Sequence, residues 1–247
     1  SILFLPQPPG LTFNGQVTLA VFLLMGIWWA TEALPLQITS LLPLILFPIF
    51  SVEEIGVISK EFMNKVQFLF AGGFMIAQVA RLLSENKVTL PFGLYITNSV
   101  QEEVGLRGAE MITQTIKPDV ALVTDVCHDT TTPMINKKTE GHTEIGKGPV
   151  ISYAPAVQNN LRERIIETAE KKKIPFQRLA SSRFTGTDTD AFAYSNGGVA
   201  SALISLPLRY MHTTVETVHR KDVENVIQLM YETLLTIKDG ESFSYFD

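Results

Sequence analysis

The chain opens on long apolar stretches and then changes to short apolar runs alternating with charged, amphipathic segments. Gln16 to Leu36 is almost wholly apolar, about the length a helix needs to cross a hydrocarbon core of roughly 30 Å. A second run, Leu41 to Phe50, is broken by Pro43 and Pro48 and predicts a re-entrant or broken helix rather than a full span. Ser51 to Lys65 is polar and amphipathic, and a third apolar run, Val66 to Ala80, stops at Arg81. From Ser1 to Phe50 the sole ionisable side chain is Glu32. This half predicts two to three membrane-type helices, with a buried soluble hairpin as the other reading. A secretory signal fits poorly, because no basic region precedes the apolar core.

Beyond residue 80 the periodicity is that of a soluble domain. Pro91 to Val100, Asp119 to Val126, Gly148 to Tyr153, Pro175 to Ser182 and Val199 to Leu206 read as strands. Arg107 to Thr115 reads as a short helix. Val157 to Lys173 places Leu161, Ile165, Ile166 and Ala169 on one face, and Asp222 to Lys238 does the same with Val223, Val226, Ile227, Met230 and Leu234. Strands alternating with helices predict an α/β domain with a largely parallel sheet.

Composition adds little. A net charge of −5 without a basic stripe gives nucleic-acid binding no support. The single cysteine, Cys127, rules out an internal disulfide and fits a reducing compartment.

Three places carry candidate chemistry. In Gln101-Glu102-Glu103-Val104-Gly105-Leu106-Arg107-Gly108-Ala109 two adjacent carboxylates follow an apolar run and precede a turn into a helix. Such a pair is either a solvated turn or, at the carboxyl end of a strand where α/β sheets bind ligands, a metal ligand beside a water-facing base. Asp125 ends the apolar run Val120 to Thr124 and is either a loop solvator or a ligand. His212 follows Leu206-Pro207-Leu208-Arg209-Tyr210-Met211 and is either a hydrogen-bonded structural residue or a ligand. Together Glu, Asp and His form an O/O/N donor set suited to Zn²⁺, Co²⁺ or Mn²⁺. His128 and Asp129 read as loop residues or partners of the ligands, Cys127 as a buried small residue, and Lys171 to Lys173 as a complement to a helix dipole. His142 and His219 carry no assigned role.

These segments, together with Gly186-Thr187-Asp188-Thr189-Asp190-Ala191 and the Val215-Glu216 that follows His212, resemble the glutamyl and tetrahedral aminopeptidases, a family of co-catalytic zinc metallopeptidases. The resemblance runs from about Val79 to the carboxyl terminus. It implies a partial zinc-exopeptidase sheet with flanking helices and two divalent metal ions, zinc or else cobalt or manganese. It implies Glu102 as general base, Glu103, Asp125 and His212 as metal ligands, and Asp190 on the substrate side. Peptides with free amino termini are the implied partners, and a homo-oligomer and a cytoplasmic catalytic part are the implied setting.

The same resemblance implies a further His early in the chain and a bridging Asp upstream of the Glu pair, yet residues 1–118 contain neither Asp nor His. The site is therefore expected to be incomplete and the chain weak or inactive as a peptidase. Gly10 to Gly15, Thr31 to Leu36 and Phe68 to Phe74 resemble instead the start of a divalent-anion/sodium symporter, over about residues 10 to 78. A join near Gln78-Val79 is expected, with domains at 1–78 and 79–247, membrane contact through residues 16–80, and a sodium-coupled dicarboxylate transporter fragment as the alternative function.

Overall fold

A computed structural model describes residues 10–31, 33, 39, 42–54, 57, 65–213 and 215–244, with the backbone alone for 65–72. The chain divides into two units, Ser1–Gln67 and Phe68–Asp247.

In the first unit, helix α1 spans Phe13–Thr31. Thr12 starts it, its hydroxyl accepting from the Gly15 N–H at 3.2 Å, as an N-cap does. It is the one helix among the described residues long and apolar enough to cross a membrane, by length and composition. Helix α2, Leu42–Ile49, is too short to cross. Pro48 is tolerated in its last turn, and Ser51 ends it in the left-handed conformation with the Val52 N–H on the Phe47 carbonyl at 2.8 Å. Glu32, the segment Leu34 to Leu36 and most of the amphipathic stretch Ser51 to Lys65 lie outside the described residues.

Helix α3, Lys65–Glu85, corrects the expectation for the third apolar run. The apolar run stops at Arg81, but the helix continues to Glu85, where exposed Arg81 pairs with Glu85 at 2.7 Å. Met75, Val79 and Leu83 recur every four residues and are buried in the α/β core. This part of the run is therefore a core-packing helix.

The elements that follow are α4 (Arg107–Ile116), β1 (Val120–His128), a single-turn α5 (Lys137–Glu140), β2 (Val150–Tyr153), α6 (Asn159–Lys172), β3 (Gln177–Ala180), α7 (Asp188–Tyr194), β4 (Ala200–Arg209), β5 (Thr217–Val218) and α8 (Arg220–Leu234). The sheet is ordered β1-β4-β2-β3, with β5 pairing β4. β4 is the central strand, and every residue from Ser201 to Leu208 is buried, so both its faces are covered. Apolar residues of α6 and α8 fill the larger core cluster, including Leu161, Ile165, Val226 and Leu229. α4 and α7 supply a smaller one, with Ala109, Ala191 and Phe192 against Ala121 and Val199.

Two expectations about strands fail. The sheet is mixed rather than largely parallel: β1–β4 and β2–β3 are parallel, but β2–β4 and β4–β5 are antiparallel. The connection from β1 to β2 contains only the single turn α5, with no crossover helix of the kind that returns a chain parallel to itself. Pro91 to Val100 forms no strand. It is extended but makes no ladder among the described residues, and Leu94, Tyr95 and Ile96 are exposed. Strand propensity is realised only against a partner edge.

One buried side chain locks this fold near the site. Asp222, fully buried in the first turn of α8, accepts from the N–H groups of Gly146 at 2.5 Å and Gly148 at 2.8 Å. Gly148 has φ +94, and a Cβ there would overlap the Pro175 carbonyl. Asp222→Ala is expected to destabilise the α/β unit by about 2–4 kcal/mol, the cost of leaving two buried donors unpaired. Chemical denaturation of the full chain in detergent, followed by circular dichroism, measures it.

Candidate active site

The parallel ladder of β1 with β4 runs from Val120↔Ala200 to His128↔Leu208. Both strands therefore end on the same edge of the sheet, with Asp125 opposite Ser205 and His212 four residues beyond Leu208. The Glu pair reaches this edge by another route. Glu102 and Glu103 sit on one 3-10 turn, Glu102–Val104, carried by the unpaired extended segment.

The backbone around these residues is strained. Gln101, Leu106, Tyr210 and His212 all have positive φ, as does Gly105. Non-glycine residues in this region cost roughly 1–2 kcal/mol each and persist only where surrounding bonds hold them. Gly105 and Leu106 donate to the Glu102 carbonyl at 3.2 and 3.1 Å. The His212 N–H donates to Glu216, and the Thr213 hydroxyl donates to the Tyr210 carbonyl at 2.6 Å.

The side chains then meet. His212 Nε2 stands 3.4 Å from Glu103 Oε1, and both side chains remain about half exposed to solvent. Burial, then the neighbouring charges of Asp125, Asp188 and Glu103, push the Glu102 carboxyl up to about 7. Burial likewise raises Asp125 to about 6, against a hydrogen bond from the Val126 N–H and with Asp188 and Glu103 adding to the rise. Four of the five residues singled out in the sequence, Glu102, Glu103, Asp125 and His212, thus share one electrostatic neighbourhood. Asp190 points elsewhere: its carboxylate accepts from the N–H groups of Thr185 and Gly186 at 2.9–3.1 Å.

The residue that sequence reasoning passed over is Asp188. It is 9% exposed, its Oδ2 accepts from the Ser99 hydroxyl, and its buried Oδ1 has no hydrogen-bond partner. Burial raises its carboxyl also. Two aspartates in Thr187-Asp188-Thr189-Asp190 offered the signal, but the sequence could not show which one turns toward the Glu pair.

Other candidates resolve simply. Asp129 is buried, but hydrogen bonds from Thr131 and Ile145 and the charge of Arg209 more than offset burial and keep its carboxyl low. Burial pushes the Cys127 thiol up to about 12. His219 caps α8, accepting from the Lys221 N–H at 3.3 Å.

The donor set suits a divalent cation only in part. Glu103 and His212 present adjacent oxygen and nitrogen atoms, with Asp125 close by. Among the described residues, however, no three His, Cys, Asp or Glu side chains are grouped closely enough to hold one ion. Glu103 and His212 are the two side chains that could supply donors to one cation, and the described residues do not form a closed two-metal centre.

The M42 glutamyl aminopeptidase profile matches residues 44–229. The chain belongs to the M42 family. It is similar to the lysyl aminopeptidase of Pyrococcus furiosus, 36% identical over 197 residues, covering 76% of this chain and 55% of that protein. The crystal structure of the TET aminopeptidase from the marine sediment archaeon Thaumarchaeota archaeon SCGC AB-539-E09 superposes with a TM-score of 0.62 at 33% identity, over 68% of this chain and 47% of that one. The chain thus spans about half the length of the M42 relatives it matches. Its start matches a second profile, the sodium:sulfate symporter transmembrane region, over residues 1–83. Over 75 residues it is 45% identical to the sodium-dependent dicarboxylate transporter SdcS of Staphylococcus saprophyticus, 30% of this chain and 14% of that protein. The M42 chain therefore carries a symporter-like beginning, as a chimera would. The two matches share residues 44–83, and α3 runs through 78–79 without a break.

The raised carboxyls give a pH signature. An acid whose folded pKa lies above its unfolded value stabilises the fold less once pH rises through that interval. For Asp125 the interval is from 3.8 to about 6. In cation-free buffer, Asp125→Asn is expected to melt at the wild-type temperature near pH 3.5 and above it at pH 8. Parallel melting curves across that range would refute the assignment if the two proteins kept a constant difference.

Proposed function

We propose that the M42 portion hydrolyses the first peptide bond of peptides with free amino termini, in a metal-dependent reaction as is general in the family. Glu102 is the general base, and the observation that carries this is geometric: it shares one 3-10 turn with Glu103, whose Oε1 stands 3.4 Å from His212 Nε2, while burial pushes its own carboxyl up to about 7. A base titrating near the working pH is half available and still strong enough to take a proton from water. Glu103 and His212 would hold one divalent cation, zinc, cobalt or manganese, and Asp125 would be a further ligand on the same edge. Bound there, the ion supplies Lewis acidity to the scissile carbonyl and lowers the pKa of water. Glu102 then takes the proton of the attacking water and returns it to the leaving amine. Asp190 shapes the substrate side through the loop it fastens at Thr185 and Gly186. A second ion has no complete set of ligands among the described residues, so turnover by this chain alone is low.

The organisation proposed is a membrane-type segment over residues 1–78 and a peptidase domain over 79–247. Helix α1 carries no charged residue and is mostly apolar, and only Gln16, Val17 and Val21 in it are buried. That composition supports insertion, which would tether a peptidase domain facing the cytoplasm. Self-association of that domain, which the resemblance implies, would be read from its mass in detergent. A transporter role is the weaker reading, because α2 is too short to span and the buried half of α3 belongs to the α/β core.

The deciding assay follows release of lysine, leucine or glutamate from aminoacyl-p-nitroanilides by the full chain in detergent, with and without chelator. Slow, chelator-sensitive release is expected, with Glu102→Gln reducing it by about 10²-fold or more while Co²⁺ still binds. His212→Ala is expected to weaken Co²⁺ binding instead. Undiminished release by Glu102→Gln would remove that residue from its role.

A further inference from the structure

The Glu pair lacks the support that usually fixes a catalytic carboxylate in an α/β fold. Residues 91–100, which lead into it, make no ladder with β1 or any other described strand. Two bonds hold the end of this segment. The Val100 carbonyl accepts from the Gly108 N–H at 2.9 Å, a contact so close that no side chain fits at Gly108. The Ser99 hydroxyl donates to Asp188, 89 residues further along the chain.

The far end of that second bond is rigid. Asp188 opens α7, whose Ala191 and Phe192 are buried in the smaller core cluster. The turn before it is braced by Thr187, whose hydroxyl lies 3.0 Å from those of both Thr185 and Thr189. Asp190 fastens the same turn from within. Asp188 keeps its carboxylate buried with one oxygen unpartnered, a cost of about 1–3 kcal/mol that a purely structural contact would not require. Its charge is also felt at both Glu102 and Asp125.

We propose that Asp188 is a positioning residue for the Glu102–Glu103 turn: through Ser99 it anchors the segment that no strand holds, and so sets where both carboxylates stand. The inference deepens the peptidase reading and rests on it for the cation that Glu103 would hold. Groups that orient a ligand from behind commonly change metal affinity by about 10–100-fold when removed.

The test uses the full chain in detergent, with Ser99→Ala, Ser99→Thr and Asp188→Asn. Backbone hydrogen exchange is read over residues 95–106, and Co²⁺ affinity from its visible absorption. Ser99→Ala is expected to speed exchange there by about tenfold, leave α6 unchanged, and weaken Co²⁺ binding by about tenfold. Ser99→Thr, which restores the hydroxyl, is expected to recover both. Asp188→Asn keeps an acceptor for Ser99 and is expected to leave exchange at the wild-type rate. Wild-type exchange and affinity in Ser99→Ala would overturn the anchor, as would failure of threonine to rescue. Weakened Co²⁺ binding in Asp188→Asn with none in Ser99→Ala would mean that Asp188 acts by charge alone, which also overturns it. No Co²⁺ binding by the wild-type chain would instead sink the metal reading of the site itself.

Discussion

The parallel pairing of β1 with β4 is the constraint on which the rest of the site depends. Its register places Asp125 against Ser205 and brings both strands to an end on one edge. Because side chains alternate across a sheet, a slip of one residue would turn Asp125 to the opposite face. β4 itself is covered on both faces, packed by α6, α7 and α8, with Ser201 to Leu208 all buried. The nine-residue register of β1 on it fixes where a ligand can be met.

Everything mounted on that edge is irregular and held by side chains. The Glu pair rides on a single 3-10 turn between left-handed Gln101 and Gly105, and His212 is itself left-handed at the end of β4. These conformations are unfavourable in isolation. They persist because Glu216, Thr213 and the Gly105 and Leu106 N–H groups satisfy the polar atoms they expose. The core supplies the stability, and the loops spend part of it in holding chemistry at a fixed point.

Electrostatics describes what the assembled edge is suited to receive. Burial raises Glu102, Asp125 and Asp188; the charges of Asp125, Asp188 and Glu103 add to the rise at Glu102, and those of Asp188 and Glu103 to the rise at Asp125. Carboxyls that repel in this way favour either protons or a cation between them. Glu103 and His212 add an oxygen and a nitrogen side by side, but the described residues stop short of a closed ligand set.

Local pattern was enough to find α4, α6, α8, β1, β2, β3 and β4 to within a few residues, since each carries its own periodicity and most have recognisable ends. It also singled out Glu102, Glu103, Asp125 and His212 as candidates, which the fold brings into one electrostatic neighbourhood. It failed where the outcome depends on a partner. Pro91 to Val100 has strand composition but joins no ladder among the described residues, and the third apolar run became a core helix because Met75, Val79 and Leu83 find the α/β core. The antiparallel entry of β2 followed from a connection with no crossover helix. The choice between Asp188 and Asp190 was decided by which carboxylate Ser99 reaches and which one the Thr185–Gly186 backbone captures. Sequence determined the elements and the chemical types, because those are properties of neighbouring residues; the tertiary structure alone decided pairing, orientation and charge coupling, because those depend on residues brought together from far along the chain.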